Sequence, residues 1–163
     1  MATDWKETLG KRMTKPQMVR VVGSAVAIAI ICYIAFECGQ PLFMASFGAS
    51  AVIIFAMPKS PAARVQNVIG GHIVSGIVGL SLAMLIGSFW YTAAAAVAIS
   101  IFLMVLLDIV HPPGGATALI TVTLAAPAWD FLLMPVAVGA CIMFGVGYLT
   151  NIACKRLEEP SEA

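Results

Sequence analysis

The sequence predicts an all-α integral membrane protein made of two similar halves, each a long helix, a short broken helix and a second long helix. Three observations predict it. Of the 163 residues, 61% are hydrophobic and 10% charged, with a mean hydropathy of +0.98, whereas a soluble domain carries about 25% charged residues. Seven charged side chains fall in residues 1–20 and five in 155–163, leaving Glu37, Lys59, Arg64, Asp108 and Asp130 for everything between. The long apolar runs are punctuated by clusters of Gly, Pro and Ser, the residues that end helices.

Residues 1–17 form a polar, basic N-terminal segment, expected to lie at the membrane surface with Trp5 and Leu9 toward lipid. The first span runs from about Met18 to Cys38. At ~1.5 Å per residue it crosses the ~30 Å hydrocarbon layer. It reads as a retained signal anchor rather than a cleaved leader. Gly39-Gln40-Pro41 breaks the chain, and a shorter apolar piece follows from Leu42 to Met57. Pro58-Lys59-Ser60-Pro61 ends that piece, with Ser60 placed to cap the next helix and Pro61 to begin it. That helix, about Ala62 to Phe89, carries Gly70, Gly71, Gly76, Gly79 and Gly87, which let neighbouring helices come close. Trp90 and Tyr91 suit an interfacial turn. A fourth helix over Thr92–Val110 stops at His111-Pro112-Pro113-Gly114-Gly115, and a second short piece covers Ala116–Ala126. After Pro127-Ala128-Trp129-Asp130, the last helix covers Phe131–Asn151, and residues 152–163 form a charged tail.

Residues 18–89 and 92–151 thus repeat one plan inside a single membrane domain, 18–151. Gly48-Ala49-Ser50-Ala51-Val52-Ile53 set against Gly115-Ala116-Thr117-Ala118-Leu119-Ile120 gives four identities and two conservative pairs, at an offset of 67. Three crossings per half make the second copy inverted, a common transporter plan. The alternative is four spans plus two re-entrant short helices. Lys and Arg favour cytoplasmic loops, and only the three-crossing count puts the N-terminus, Lys59, Arg64, Lys155 and Arg156 on one side. Both termini are therefore expected in the cytoplasm, with a bacterial inner membrane as the setting.

The densest polar signal is the break around Pro112-Pro113. Unpaired backbone in lipid costs several kcal/mol per group, so this stretch is expected to be buried or to line water. A helix start aimed inward offers free N–H donors and roughly half a positive charge, which suits an anion. Gly114, Gly115, Ala116 and Thr117 would supply one such start, and Gly48, Ala49 and Ser50 a matching one, the two converging near the midplane. The competing reading makes these kinks for close packing, with the hydroxyls of Ser46, Ser50, Thr117 and Thr121 bonded one turn back. His111 adjoins the break and exchanges protons near neutral pH, and Asp108, three residues earlier, is placed to pair with it. His72 is more simply a hydrogen-bonded core histidine, and Glu37 the end of the first span. Gln66 and Asn67 are expected near the start of the third helix.

Other chemistries find little support. The two histidines are far apart in sequence, and no Cys/His cluster has metal-ligand spacing. Cys32, Cys38, Cys141 and Cys154 show no framework spacing and are expected to be reduced and structural. No Gly-x-Ser-x-Gly elbow is present and the basic residues form no long stripe, so neither an enzyme, a cofactor nor a nucleic-acid partner is expected.

The run His111-Pro112-Pro113-Gly114-Gly115-Ala116-Thr117-Ala118 closely resembles the signature of the HPP family of integral membrane proteins. Phe43 to Ala51 and the Pro58-x-Ser60-Pro61 turn resemble other recurrent parts of it, and the likeness extends over about Lys15–Lys155. The resemblance implies a compact helical membrane domain that carries a small anion, with nitrite the leading candidate because some family members are associated with nitrite transport. A passive channel for a small neutral solute and a non-transporting accessory subunit are the alternatives. A carrier this small is expected to act as a homo-oligomer in the bilayer.

Overall fold

A computed structural model describes residues 13–39, 44–124 and 128–158. The surface segment with Trp5 and Leu9, the Gln40-Pro41 break, Phe43, Pro127 and residues 159–163 lie outside the described residues. Six helical units follow one another: α1 Lys15–Phe36, α2 Ala45–Ala51, α3 Val65–Ile86, α4 Trp90–Leu106, α5 Pro113–Thr123 and α6 Val138–Glu158. In the first half a 7-residue helix lies between two of 22 residues, and in the second an 11-residue helix lies between ones of 17 and 21. Among the described residues three helices are long and apolar enough to cross a membrane, Lys15–Phe36, Val65–Ile86 and Leu132–Glu158, with Ala45–Ala56 and Trp90–Leu106 as shorter apolar helices.

The boundaries shift for identifiable reasons. Helix α1 starts at Lys15 rather than Met18, because Gln17 Oε1 accepts the Thr14 N–H at 2.7 Å and Pro16 sits in the first turn. Helix α2 begins at Ala45 after an extended Met44 and widens into π-helical turns over Val52–Ala56. Ser60 Oγ accepts from Ala62 N at 3.3 Å, as a capping residue does, yet the cap closes only a 3-10 turn over Pro61–Ala63. Regular helix starts at Val65. It ends at Ile86 instead of Phe89, since Gly87 takes φ +103. Helix α4 stops at Leu106, not Val110, and Asp108 turns the chain at φ 54. The last helix is interrupted at Pro135, with Met134 in a non-helical conformation, so α6 proper begins at Val138.

Helix α3 is the most enclosed of the three long helices. Its glycines admit its neighbours. A Cβ on Gly71 would lie 2.6 Å from His111 Cβ, and one on Gly76 would lie 2.9 Å from Leu132 Cδ1. Gly79 lies directly against Thr121 of α5, and Ala118 O would be 2.7 Å from a Cβ there. Helices α1 and α6 pack together through Gly23 and Thr150, and Arg20 Nη1 donates to Asn151 Oδ1 at 2.5 Å. Phe47, Ile54, Phe55, Val68, Val136 and Met143 fill the core between α2, α3 and α6. Outward-facing Val22, Tyr33, Leu85, Phe102 and Leu149 are exposed, as lipid-facing side chains are in an isolated chain. Trp90 is 83% exposed and opens α4, so the turn lies before it and not at Trp90-Tyr91.

Candidate functional site

The polar centre of the molecule is assembled by four segments. Helix α3 presents His72 seven residues from its start, about 10 Å into the helix at ~1.5 Å per residue. Helix α2 brings Ser50, the break before α5 brings His111, and the second turn of α5 brings Thr117. All four are fully buried. They form one hydrogen-bonded chain. Ser50 Oγ lies 2.8 Å from His72 Nε2 and 3.0 Å from His111 Nε2. Beyond His72, its Nδ1 meets Thr117 Oγ1 at 2.7 Å. Beyond His111, its Nδ1 donates to the Ala62 carbonyl at 2.8 Å. The two rings pack edge to face, centroids 5.0 Å apart, and Phe47 covers His72 at 5.4 Å.

Local chemistry holds the segments in place. Asn67 Nδ2 donates to the Val110 carbonyl at 3.0 Å, tying the break to the head of α3. Gly71 admits His111, and Gly114 sits against Gly71 O and Ser75. Ser46 Oγ and Asn67 Oδ1 are buried with no hydrogen-bond partner among the described residues. Such atoms are rare in native interiors and mark places where water or a polar guest fits.

The sequence-predicted site residues divide accordingly. Hydrogen bonds join Ser50 to His111 directly and to Thr117 through His72. Helix α5 begins just after His111, which reaches the Ala62 carbonyl before the head of α3. Gly48 and Ala49 are exposed, and a Cβ on Gly48 would meet nothing within 4 Å. The free donors expected at Gly114 and Gly115 are spent in a tight turn, their N–H groups bonding to His111 O at 2.8 Å and Pro112 O at 3.1 Å. Pro113 opens α5, and Pro112 and Ala116 flank the turn without joining the polar chain. Asp108 does not pair with His111. It is exposed in the preceding turn, and both His111 ring nitrogens are bonded elsewhere. Thr121 bonds back to Thr117 O and Ala118 O and faces Gly79. Glu37 is the exposed C-cap of α1.

His72 is the residue that sequence reasoning undervalued. Its signal was a stripe of small and polar residues on α3, His72, Ser75 and Gly79, at helical spacing. Because Gly48 lies outside the site, Gly48→Ala is expected to stabilise the protein by up to about 1 kcal/mol through helix propensity. Thermal unfolding in detergent checks this, and a clear loss of stability would return Gly48 to a structural or binding role.

Two grooves lie at the end of the molecule where Thr14, Lys59 and Glu158 gather, and neither is lined by a residue of the cluster. One, of about 390 Å³, is lined by Gln17, Arg20, Ser24, Ala51 and Phe55. The other, of about 560 Å³, is lined by Thr14, Arg20, Met57, Lys59 and Glu158. Arg20 belongs to both, and its hydrogen-bond partner is the neutral Asn151. Among the described residues no group of three or more His, Cys, Asp or Glu is placed to hold a metal ion. The four cysteines are free.

Residues 11–160 match the family model described as HPP, transmembrane region. The chain belongs to the HPP transmembrane family. Two curated transmembrane proteins of Dictyostelium discoideum are similar to it. One is 38% identical over 143 residues, covering 83% of this chain and 50% of the relative. The other is 38% identical over 124 residues, covering 72% of this chain and 40% of the relative. The chain thus spans about half the length, or less, of these relatives. No solved structure matches it. This HPP protein is an integral membrane protein.

Proposed function

We propose that this HPP protein carries a small inorganic anion across the membrane together with a proton, nitrite being the leading candidate. One observation carries the reading: two fully buried histidines joined by a single serine hydroxyl, with no carboxylate among their hydrogen-bond partners, one on the apolar helix α3 and the other at the break before α5. Ionisable residues at membrane depth are expensive and are retained for function by default. A protonated histidine offers a buried anion its counter-charge, and the neutral form releases it. The unpartnered Ser46 Oγ and Asn67 Oδ1 offer further polar contacts. Arg20 supplies a positive field at the mouth of both grooves. Nitrite in particular rests on the family resemblance.

On this reading the described form is occluded, since the cluster is closed on every side. Transport then opens it alternately by moving one half of the repeat against the other. Both termini face the cytoplasm by the distribution of Lys and Arg. The working unit is a homo-oligomer, because a single chain makes a thin wall around any path.

The test is nitrite uptake into liposomes holding the purified protein, at several pH gradients. Saturable uptake driven by a proton gradient, and unchanged within about twofold in an Asp108→Asn control, is the expected result. Non-saturating flux indifferent to anion charge would replace the carrier with a channel for a neutral solute. Folded protein inert toward nitrite and other small anions would leave an accessory subunit.

A further inference from the structure

We propose that Ser50, His72, His111 and Thr117 form a proton relay in which one hydroxyl passes a single extra proton between two imidazoles, its sense set by the Ala62 carbonyl. The relay gives the transport reading its proton step, and rests on that reading for its purpose but not for its geometry.

The positions of the protons follow from donor and acceptor inventory. A carbonyl only accepts, so His111 Nδ1, 2.8 Å from Ala62 O, carries a proton. In the neutral ring His111 Nε2 is then bare, and Ser50 must donate to it across 3.0 Å. Ser50 has only one proton. Toward His72 it therefore offers a lone pair, and His72 Nε2, 2.8 Å away, carries the proton of that bond. His72 Nδ1 is left bare and accepts from the Thr117 hydroxyl at 2.7 Å. Each link is satisfied, and reversing any one of them sets two lone pairs against each other. The Ser46 carbonyl, 3.1 Å from Ser50 Oγ, is the competing acceptor. A hydroxyl turned that way donates to neither ring and interrupts the relay.

An extra proton moves as follows. Thr117 transfers its hydroxyl proton to His72 Nδ1 while Oγ1 takes one from a bound weak acid, which is left as its anion. The new hydroxyl turns to Pro113 O, 3.4 Å away, and His72 is now the cation. The Nε2 proton of His72 then passes to Ser50 Oγ as the original Ser50 proton passes to His111 Nε2. One N–H and one O–H bond break, one of each forms, and the charge has moved from His72 to His111. His72 is left neutral with its proton on Nδ1. Among the described residues no other titratable side chain shares these bonds. On the adjoining segments Lys59, Arg64 and Asp108 are exposed, and Arg20 of α1 is bonded to Asn151 of α6.

The chain has two histidines, so nitrogen-15 NMR of the histidine-labelled full-length protein in bilayers reads both rings directly. At alkaline pH the expected result is His111 with its proton on Nδ1, the less common tautomer of free histidine, and His72 with its proton on Nε2. On acidification the signals of both rings are expected to move together in one transition. In Ser50→Ala each ring titrates by itself, and Ser50→Thr, which keeps the hydroxyl, restores the coupling. A wild-type His111 protonated on Nε2 at alkaline pH, or two rings that titrate independently, would overturn the relay. The tautomer measurement needs no variant, so a misfolded Ser50→Ala protein does not decide the matter. Expected tautomers in a protein that moves no anion would sink the transport reading alone.

Discussion

Nitrite uptake is expected to fall on the order of a hundredfold in His72→Gln, the low end of what a positioned proton carrier contributes, while the protein stays folded. Glutamine places an amide near the position of Nε2, so the contact with Ser50 survives. The amide has no titratable proton, however, and it leaves Thr117 to bond to the Pro113 carbonyl alone. Alanine is the harsher replacement, because an emptied site of imidazole size in a packed interior costs about 2–5 kcal/mol. Comparing the two separates loss of chemistry from loss of packing. Wild-type uptake in folded His72→Gln would remove the histidine from the transport path and leave it a core residue.

The second large effect is a contrast between adjacent glycines. In Gly114→Ala the new methyl falls 2.8 Å from the Gly71 carbonyl oxygen and 2.8 Å from Ser75 Oγ. The carbonyl belongs to a helix backbone and cannot swing aside, so α5 must shift. Overpacking of this kind costs about 1–3 kcal/mol. The shift is transmitted to His111, three residues earlier, whose contacts with Ser50 and Ala62 require ångström-level placement. In Gly115→Ala the nearest atom is Val97 Cγ1 at 3.9 Å, an ordinary contact. Thermal unfolding in detergent and uptake in liposomes are expected to show severe loss for Gly114→Ala and little change for Gly115→Ala. Equal behaviour of the pair would mean that the break is looser than its packing indicates.

Much of the fold was legible in the sequence because the signals were local. Apolar runs with punctuation located six helical units, and Pro112-Pro113-Gly114-Gly115 located the turn that carries His111. The apolar run alone implies a continuous helix from Phe131, whereas Pro135 interrupts it. The site was only partly legible, since its links join residues far apart in the chain: Ser50 to His72, Ser50 to His111, His72 to Thr117. Within one helix, spacing reports which side chains share a face, and that rule suggested Asp108 for His111. The rule failed because α4 ends at Leu106, so Asp108 and His111 are not on one helix. Between helices, register is set by close contacts such as Gly71 on His111 and Gly79 on Thr121. The glycines were visible; their partners were not.

The acceptor at one end of the polar chain is a main-chain oxygen, and this bears on how the protein can change. A serine, threonine or histidine is altered by a single codon substitution. The Ala62 carbonyl is present whatever side chain occupies position 62. Point mutation can therefore weaken the relay or break it at Ser50, His72, His111 or Thr117, but it cannot easily turn it around. Reversal would require re-routing the turn at Pro61–Ala63, which the Ser60 cap and the rigid Pro61 ring together oppose. The sense of the wire is in this respect inherited with the backbone, and variation among its side chains acts on how well protons move, not on which way the chain points.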